Sequence, residues 1–295
     1  MGRCAVRAVC LAALCLASCG GPPRDVEPSR SGLLVLLTDF GERDHYVGAV
    51  KGAALRANPL VRIESITHQV EPFDIWEGAL TLGLAAREFP PGTVFVAIVD
   101  PGVGTARRAV ALRTEAGRYY VAPDNGLLTL VAHREGIVEV RDISALEPLG
   151  RRPSRTFQGR DLFAPAGALL AGGTPLATLG PRLPHITLLP IPEPSLEDGK
   201  LKGAVLRIDR YGNIVTNVPA ELGAKAGLQR GAALQLRVGE ATTQATYAAT
   251  YGDVPQGQAV CLVDSLGYLE LAINQGNLAQ RLGAKGGMPV EISPK

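Results

Sequence analysis

The hydrophobic and polar positions of the chain form two regions with different patterns. In the first region, a continuous apolar run over 33–37 is typical of a buried strand, and it ends in the polar segment Thr38-Asp39-Phe40-Gly41. Further runs predict a helix over 47–55, a strand over 61–66, a helix over 74–89, a buried strand over 93–99, a hairpin over 109–113 and 118–122, and a helix over 125–133. This alternation predicts an α/β fold with a largely parallel sheet.

The second region begins after Gly180, where five prolines fall within nineteen residues and no periodicity is visible. We interpret this stretch as a linker. Beyond it, short alternating or apolar runs predict strands over 202–209, 233–238, 259–263, 268–273 and 289–292. The domain division is therefore an N-terminal α/β domain over 33–185, a Pro-rich linker over 186–201 and a smaller C-terminal β domain over 202–295.

The first 19 residues have the pattern of a signal peptide. Two arginines precede an apolar run over 9–16, which is too short for an ordinary membrane-spanning helix. The tail Leu16-Ala17-Ser18-Cys19 resembles a bacterial lipobox, which implies lipidation at Cys19, and residues 20–32 would form a tether. These features predict an exported bacterial lipoprotein, anchored in a membrane through Cys19 and located in the periplasm or on the cell surface.

Composition and charge exclude several classes of function. The chain has 46% hydrophobic residues and a formal net charge of +2 without a dense basic run, so nucleic-acid binding is not favoured. Only Cys261 lies outside the first 19 residues, and the four histidines show no ligand spacing. We therefore expect neither a metal nor a cofactor.

Asp39 and Asp100 follow predicted strands, where α/β sheets bind their ligands.

Six short polar segments that contain glycine carry the candidate chemistry. Each alone is an ordinary turn signature. They are TDFGERD (38–44), DPGVGTARR (100–108), PDNGLLT (123–129), TFQGRD (156–161), DRYGNIVTN (209–217) and DSLGYLELAIN (264–274). Their order resembles the S-adenosylmethionine hydrolase family, also called SAM hydroxide adenosyltransferases, whose relatives include fluorinases and chlorinases. The resemblance covers about residues 33–293.

The resemblance implies a fold, an assembly and a reaction. The fold is a Rossmann-like N-terminal domain followed by a β-barrel-like C-terminal domain. The assembly is a homotrimer with sites between subunits, closed by the N-terminal domain of one subunit and the C-terminal domain of its neighbour. In the reaction, water or hydroxide attacks C5′ of the ribose in S-adenosyl-L-methionine, and adenosine and L-methionine are released without a cofactor.

The resemblance also implies catalytic residues, with one departure. Asp100 matches the aspartate and Arg107 the arginine of an Asp-Arg-His triad around the attacking water. The histidine position holds Gln158, which can hydrogen-bond water but cannot take up a proton near neutral pH. Halogenating relatives carry a tyrosine in place of Asp100, and the retained acid here disfavours a halide nucleophile.

Substrate contacts are implied by the same match. Asp39 corresponds to a carboxylate that holds the ribose 2′ and 3′ hydroxyls, and Asp44 to an acid near the methionine ammonium. Phe73 corresponds to an aromatic residue over the sugar, and Tyr211 and Asn213 to a ring and an amide at the nucleoside. Ser265 corresponds to a methionine-binding serine, and Glu270 to an acid near the adenine. Each has a structural alternative as a turn, cap or core residue, and we interpret His68 as structural.

Two hypotheses for function follow. The first is hydrolysis of S-adenosyl-L-methionine, based on the retained Asp39, Asp100, Arg107 and Asn213. The second is an exported nucleoside-binding lipoprotein with weak or no catalysis, based on Gln158 and the lipobox. The product analysis of an incubation with S-adenosylmethionine would distinguish them.

Overall fold

The computed structural model describes residues 31–147 and 154–295. The predicted signal peptide, most of the tether and the lipidation candidate Cys19 lie outside the described residues. The N-terminal region contains Leu33–Thr38 (β1), Tyr46–Ala57 (α1), Arg62–Thr67 (β2), Ile75–Ala85 (α2), Val94–Ile98 (β3), Ala109–Thr114 (β4), Tyr119–Pro123 (β5), Thr129–Glu135 (α3), Ile137–Asp142 (β6) and Ala164–Ala171 (α4). A π-helical turn over Gly159–Phe163 leads directly into α4.

The six N-terminal strands form one sheet in the order β2-β1-β3-β5-β4-β6. Strands β2, β1, β3 and β5 are parallel, and β4 is antiparallel to both of its neighbours. Helices α1 and α4 pack on one face and α2 and α3 on the other, so each face has its own apolar core. A side chain at Gly167 of α4 would collide with Val96 and Leu34, which shows how closely this helix lies on the sheet. The predicted α/β architecture is confirmed.

The C-terminal region is a closed seven-stranded β-barrel. Its elements are Ser195–Glu197 (β7), Lys200–Ile208 (β8), Ile214–Pro219 (β9), Ala220–Lys225 (α5), Ala233–Val238 (β10), Ala241–Tyr247 (β11), Ala259–Val263 (β12), Tyr268–Ile273 (β13), Leu278–Leu282 (α6) and Pro289–Pro294 (β14). The seven barrel strands follow the order β14-β10-β11-β12-β13-β9-β8, the pairing of β8 with β14 closes the ring, and the short β7 pairs with β8 outside the ring. Burial raises the pKa of the Cys261 thiol in the barrel core to about 12, so this thiol stays unreactive.

Several elements depart from the sequence prediction. The chain forms β6, α4, β9 and β11 where we expected no element, and the proposed linker 186–201 contains β7 and the start of β8.

The two regions also contact each other directly, because Trp76 Nε1 donates to the carbonyl of Leu206 at 3.1 Å. Arg134 Nη2 on α3 donates to the Tyr268 hydroxyl at 3.2 Å. In the described ranges no helix is long and apolar enough to cross a membrane.

Candidate active site

A cavity of about 300 Å³ opens beyond the carboxyl ends of β1 and β3, where a parallel sheet usually binds its ligand. Asp39 follows β1 directly, and Asp100 stands two residues after β3. The cavity is lined by Asp39, Phe40, Tyr46, Pro72, Phe73, Ile98, Asp100, Val103, Thr156, Phe157, Gln158 and Gly159. Four of the residues that the sequence singled out therefore share one cavity.

Asp100, Arg107 and Gln158 form one hydrogen-bonded group at this cavity. Arg107 Nε donates to Asp100 Oδ1 at 2.9 Å, and Arg107 Nη2 donates to Asp100 Oδ2. The same Nη2 donates to Gln158 Oε1 at 2.5 Å. The Asp100 and Arg107 side chains are only 6% and 11% exposed, so their charges compensate each other in a poorly solvated place.

This network fixes what the Gln158 amide can offer. Its carbonyl oxygen accepts from Arg107, so the NH₂ group is the part of the amide that faces other partners. The assignment of oxygen and nitrogen follows from the hydrogen bond, since a guanidinium can only donate. Gln158 can therefore hold a water molecule by donating to its oxygen, and it cannot remove a proton from it.

Asp39 is held by the loop that precedes α2. Its Oδ2 accepts the backbone N–H of Phe73 at 3.0 Å. Phe73 has a φ of 70°, which is unfavourable for a residue with a side chain, and its ring is 71% exposed beside the cavity. Strain of this kind persists where the surrounding structure enforces it, and here it brings the Phe73 amide to the carboxylate.

An aromatic wall that the sequence analysis missed closes one side of the cavity. Phe40 and Tyr46 have ring centroids 5.8 Å apart, and Phe157 lies 6.0 Å from Phe40 and 5.3 Å from Tyr46. These tilted and edge-to-face distances are favourable for aromatic pairs. Phe40 and Phe157 stand inside the quoted motifs TDFGERD and TFQGRD, so their place beside polar residues was the available signal.

On the barrel, Asp209 organises the turn that carries Tyr211 and Asn213. Asp209 Oδ1 accepts from the backbone N–H groups of both residues at 2.9 Å, and its Oδ2 accepts from Asn213 Nδ2 at 2.9 Å. Asn213 is buried, whereas the Tyr211 ring is 70% exposed. The sequence analysis missed Asp209, although it is the first residue of the quoted motif DRYGNIVTN.

Glu270 is a buried acid of the same barrel. It is 5% exposed, and its Oε1 accepts from the Tyr251 hydroxyl at 2.6 Å. Burial raises the pKa of Glu270, and the nearby carboxylates of Asp209 and Asp264 raise this pKa further. Burial and the contact with Glu270 also raise the pKa of Tyr251.

The structure separates the sequence-predicted residues into two groups. Asp39, Phe73, Asp100 and Gln158 line the cavity and Arg107 is bonded to two of them. The other candidates do not line it: Asp44 and Ser265, which are exposed, and Tyr211, Asn213 and Glu270. Within 31–147 and 154–295, no group of three or more His, Cys, Asp or Glu side chains has the arrangement of a metal site.

Relatives with known names align with most of this chain. The chain is 38% identical over 260 residues to the (R)-S-adenosyl-L-methionine hydrolase of Salinispora arenicola, covering 87% of this chain and 95% of that one. It is 39% identical to the enzyme of the same name from Thermus thermophilus, covering 87% and 97%. It is 33% identical to a fluorinase of an Actinoplanes species, covering 88% and 97%.

Two solved structures have the same fold. An uncharacterized conserved protein from Thermotoga maritima superposes with a TM-score of 0.84 at 41% identity, covering 88% of this chain and 99% of that chain. A conserved hypothetical protein from Thermus thermophilus superposes with a TM-score of 0.69 at 36% identity, covering 88% and 98%.

The prediction of an exported, lipid-anchored protein in the periplasm or on the cell surface is wrong. The hydrolases from Salinispora arenicola and Thermus thermophilus match this chain over 95% and 97% of their own length, and their names are those of enzymes and not of lipoproteins. The lipobox resemblance rested on a few small residues before Cys19, a pattern of low specificity. The alternative of a nucleoside-binding lipoprotein is not supported by these relatives, which carry the names of enzymes.

Two family models account for both regions of the fold. The N-terminal domain of the SAM hydroxide adenosyltransferases matches residues 34–180, and the C-terminal domain of the same family matches residues 203–291. The first match contains the cavity and the second contains the barrel candidates. The chain belongs to the SAM hydroxide adenosyltransferase family.

Proposed function

We propose that the protein hydrolyses S-adenosyl-L-methionine to adenosine and L-methionine. The observation that carries this proposal is the cavity lined by Asp39, Asp100 and Gln158, the last two of which are bonded to Arg107. The relatives named (R)-S-adenosyl-L-methionine hydrolase support the same reaction. The oxygen of a water molecule or hydroxide forms a bond to ribose C5′ while the bond from C5′ to the sulfonium breaks.

The leaving group determines what the site must supply. The electron pair of the breaking bond goes to sulfur, so methionine leaves as a neutral thioether and needs no proton from a general acid. The water loses one proton, which passes to solvent. The main tasks of the site are to hold the water in line with C5′ and to exclude competing orientations. Positioning of this kind can lower the activation free energy of such a step by several kcal/mol, about 7–11 kcal/mol in favourable cases.

Asp100, Arg107 and Gln158 divide the handling of the water. The Gln158 NH₂ donates to the water oxygen, and Asp100 accepts a water hydrogen, because a carboxylate has about four lone-pair positions and Arg107 occupies two of them. Arg107 keeps the Asp100 carboxylate charged and fixed. The three residues act as a preorganised polar environment for the nucleophile.

The substrate contacts complete the proposal. Asp39 binds the ribose diol, and the Phe73 ring covers the sugar at the cavity mouth. Asp44 and Ser265 bind the methionine end. Tyr211, Asn213 and Glu270 bind the adenine end, where Asp209 and Tyr251 hold them in place.

We further propose that the active form is a homotrimer with sites between subunits. None of the barrel candidates lines the cavity, and the Tyr211 and Phe73 rings are 70% and 71% exposed. A second copy of the chain could cover both rings if its barrel closed the cavity of its neighbour. Sedimentation of the protein over a range of concentrations tests the assembly directly, with a single trimeric species as the expected result.

The product analysis tests the reaction. The protein is incubated with S-adenosylmethionine of R and, separately, S configuration at sulfur, with and without chloride, and the products are separated by chromatography. Adenosine and methionine in equal amounts, independent of chloride, are expected, with faster turnover of the R form that the relatives' name specifies. Unchanged substrate in every arm, or 5′-chloro-5′-deoxyadenosine in the chloride arm, would contradict the proposal.

A further inference from the structure

One buried histidine lies beside the cavity without lining it. His68 follows β2 and is 5% exposed. It stands where two loops meet. The first loop, residues 38–41, begins at the last residue of β1 and carries Asp39, and the second loop, residues 68–74, leads from β2 to α2 and carries Phe73.

The backbones of these two loops are joined by hydrogen bonds on both sides of Asp39. The N–H of Gly41 donates to the carbonyl of His68 at 2.7 Å. The N–H of Val70 donates to the carbonyl of Thr38 at 3.4 Å. Together with the bond from the Phe73 amide to the Asp39 carboxylate, these contacts make the two loops one wall of the cavity.

The His68 ring adds the side-chain connection within this wall. Thr38 Oγ1 lies 2.9 Å from His68 Nδ1, and Ser65 Oγ lies 2.9 Å from His68 Nε2. Thr38 Oγ1 also accepts the N–H of Phe40 at 3.3 Å. The arrangement that gives the Thr38 hydrogen an acceptor is a neutral ring in which Nδ1 accepts from Thr38 and the Nε2 hydrogen points to Ser65.

The surroundings favour this neutral ring. Burial lowers the pKa of His68, and the positive charge of Lys51 lowers it further, while Glu42 acts in the opposite direction. A ring with a hydrogen on both nitrogens would leave the Thr38 hydroxyl without its acceptor at Nδ1. The ring therefore serves as a fixed acceptor that orients Thr38.

We propose that His68 is a positioning residue that acts through Thr38 to fix the carboxylate of Asp39 for binding of the ribose diol. Thr38 is the residue immediately before Asp39, so a rotation of its side chain or backbone moves the carboxylate. The proposal rests on the proposed function in one respect, namely that Asp39 binds the 2′ and 3′ hydroxyls of the nucleoside.

Two isosteric variants separate the two ring nitrogens. In His68→Asn, the amide oxygen can stand where Nδ1 stands and accept from Thr38. In His68→Gln, the amide nitrogen can stand where Nε2 stands and donate to Ser65, but the contact with Thr38 is lost. Thr38→Val removes the same contact while His68 remains, and Ser65→Ala is the matched control for the other nitrogen.

Calorimetric binding of adenosine and 2′,3′-dideoxyadenosine distinguishes positioning from a general structural role. His68→Gln and Thr38→Val are expected to weaken adenosine about tenfold, equivalent to roughly 1.4 kcal/mol, and to leave dideoxyadenosine unchanged because it has no diol. His68→Asn and Ser65→Ala should stay close to wild type. With S-adenosylmethionine, His68→Gln should raise KM by a similar factor and change kcat much less.

Equal weakening of both nucleosides would overturn the proposal, as would a His68→Asn variant as impaired as His68→Gln. If the wild-type protein neither binds adenosine nor turns over S-adenosylmethionine, the proposed function fails by itself. The positioning role is then decided by hydrogen exchange of the Phe73 amide, which bonds Asp39. Faster exchange in His68→Gln than in His68→Asn supports it, and equal exchange overturns it.

Discussion

The two regions that carry candidate residues are prepared for a ligand in different ways. In the α/β region, Asp100 and Arg107 are 6% and 11% exposed and satisfy each other's charge within one chain. On the barrel, Tyr211 is 70% exposed and Ser265 is exposed as well. The proposed catalytic group is thus organised within a single chain, whereas the barrel residues that we propose for nucleoside binding include a tyrosine that faces outward.

The barrel nevertheless preorganises some of its polar groups. Asp209 bonds both the backbone and the side chain of Asn213, and Tyr251 bonds the buried Glu270. These hydrogen bonds fix the orientation of the Asn213 and Glu270 side chains, but they do not enclose a cavity for the substrate. Under the proposed function, the catalytic geometry belongs to the single subunit, whereas enclosure of the substrate depends on the proposed trimer.

The largest expected effect comes from Asp100→Asn. The variant leaves the Arg107 guanidinium buried without its counter-charge and removes the acceptor for the water hydrogen, so turnover should fall by at least about 100-fold. Adenosine binding should change little, since the proposed diol contact is at Asp39. Product chromatography and calorimetry on the same sample measure the two quantities.

Asp124→Asn is the matched control for this variant. Asp124 pairs with Arg108 at 2.6 Å, and the Asp124 side chain is 2% exposed. Like Asp100, it is a buried acid paired with an arginine, but it does not line the cavity. We expect both variants to lose a similar amount of thermal stability, and we expect only Asp100→Asn to lose turnover. Equal turnover losses would mean that the Asp100 effect is one of folding.

The second effect in size concerns the shared site. Tyr211→Ala should lower kcat/KM by about 10- to 100-fold, the range expected for loss of a stacking ring worth about 1–3 kcal/mol. If sites lie between subunits, reassembled mixtures of Tyr211→Ala with Asp100→Asn should regain activity. With equal amounts, random mixing produces intact sites at about one quarter of positions.

A mixture as inactive as its components would place the whole site within one chain. The control is a mixture of each variant with itself, carried through the same dissociation and reassembly. Sedimentation of the mixed sample verifies that the expected assembly has formed again.

The fold was predictable where a burial pattern repeats, and less so where it does not. Strands β1 and β3 are buried along their length and stood out as apolar runs. Helix α4 was missed because it is buried all round, with only Leu169 of its residues not fully buried, so its sequence APAGALLA has no polar face to reveal a helical period. Strand β9 is hidden in the sequence because most of its residues fall within the polar motif DRYGNIVTN.

The site was predictable to the extent that it follows strand ends. Asp39 and Asp100 fall after β1 and β3, and the structure brings both to one cavity. The family resemblance groups Arg107 with Gln158, but the bond between them joins residues 51 positions apart, and no local pattern reports such a contact. The Phe40, Tyr46 and Phe157 wall is hidden for the same reason, since a ring in a mixed segment gives no sign of which other ring it meets.

A smaller effect is expected from Gln158→His, which sharpens the description of the catalytic group. Glutamine does not titrate, whereas an unperturbed imidazole does so near pH 6.5. The variant should therefore gain a step in its pH–rate profile, with activity rising as the ring loses its proton and levelling above that pH. Turnover at neutral pH should increase by about 10-fold or less.

The control for this step is Gln158→Asn, which keeps an amide but shortens the reach to Arg107. It should lower turnover without adding a titration. A Gln158→His profile that superposes on wild type after scaling would mean that the group at this position does not handle the proton, and that the side chain only supports Arg107.

The smallest effect concerns the buried acid of the barrel. Because burial raises the pKa of Glu270 in the folded state, the folded protein favours the protonated acid, and stability is lost as the pH rises through that raised pKa. Glu270→Gln cannot ionise and keeps an oxygen for Tyr251. Its thermal midpoint should equal that of wild type below the ordinary glutamate value of 4.5 and exceed it at higher pH, by on the order of 2 °C.

Tyr251→Phe tests the cause of that difference. The hydrogen bond from the Tyr251 hydroxyl lowers the pKa of Glu270, against the effect of burial. Without it the pKa rises further, so the pH range in which stability is lost should extend to higher pH than in wild type. Thermal unfolding measured from pH 4 to pH 9 separates the outcomes, and a wild-type midpoint that tracks Glu270→Gln at every pH would contradict a raised pKa of Glu270 in the folded protein.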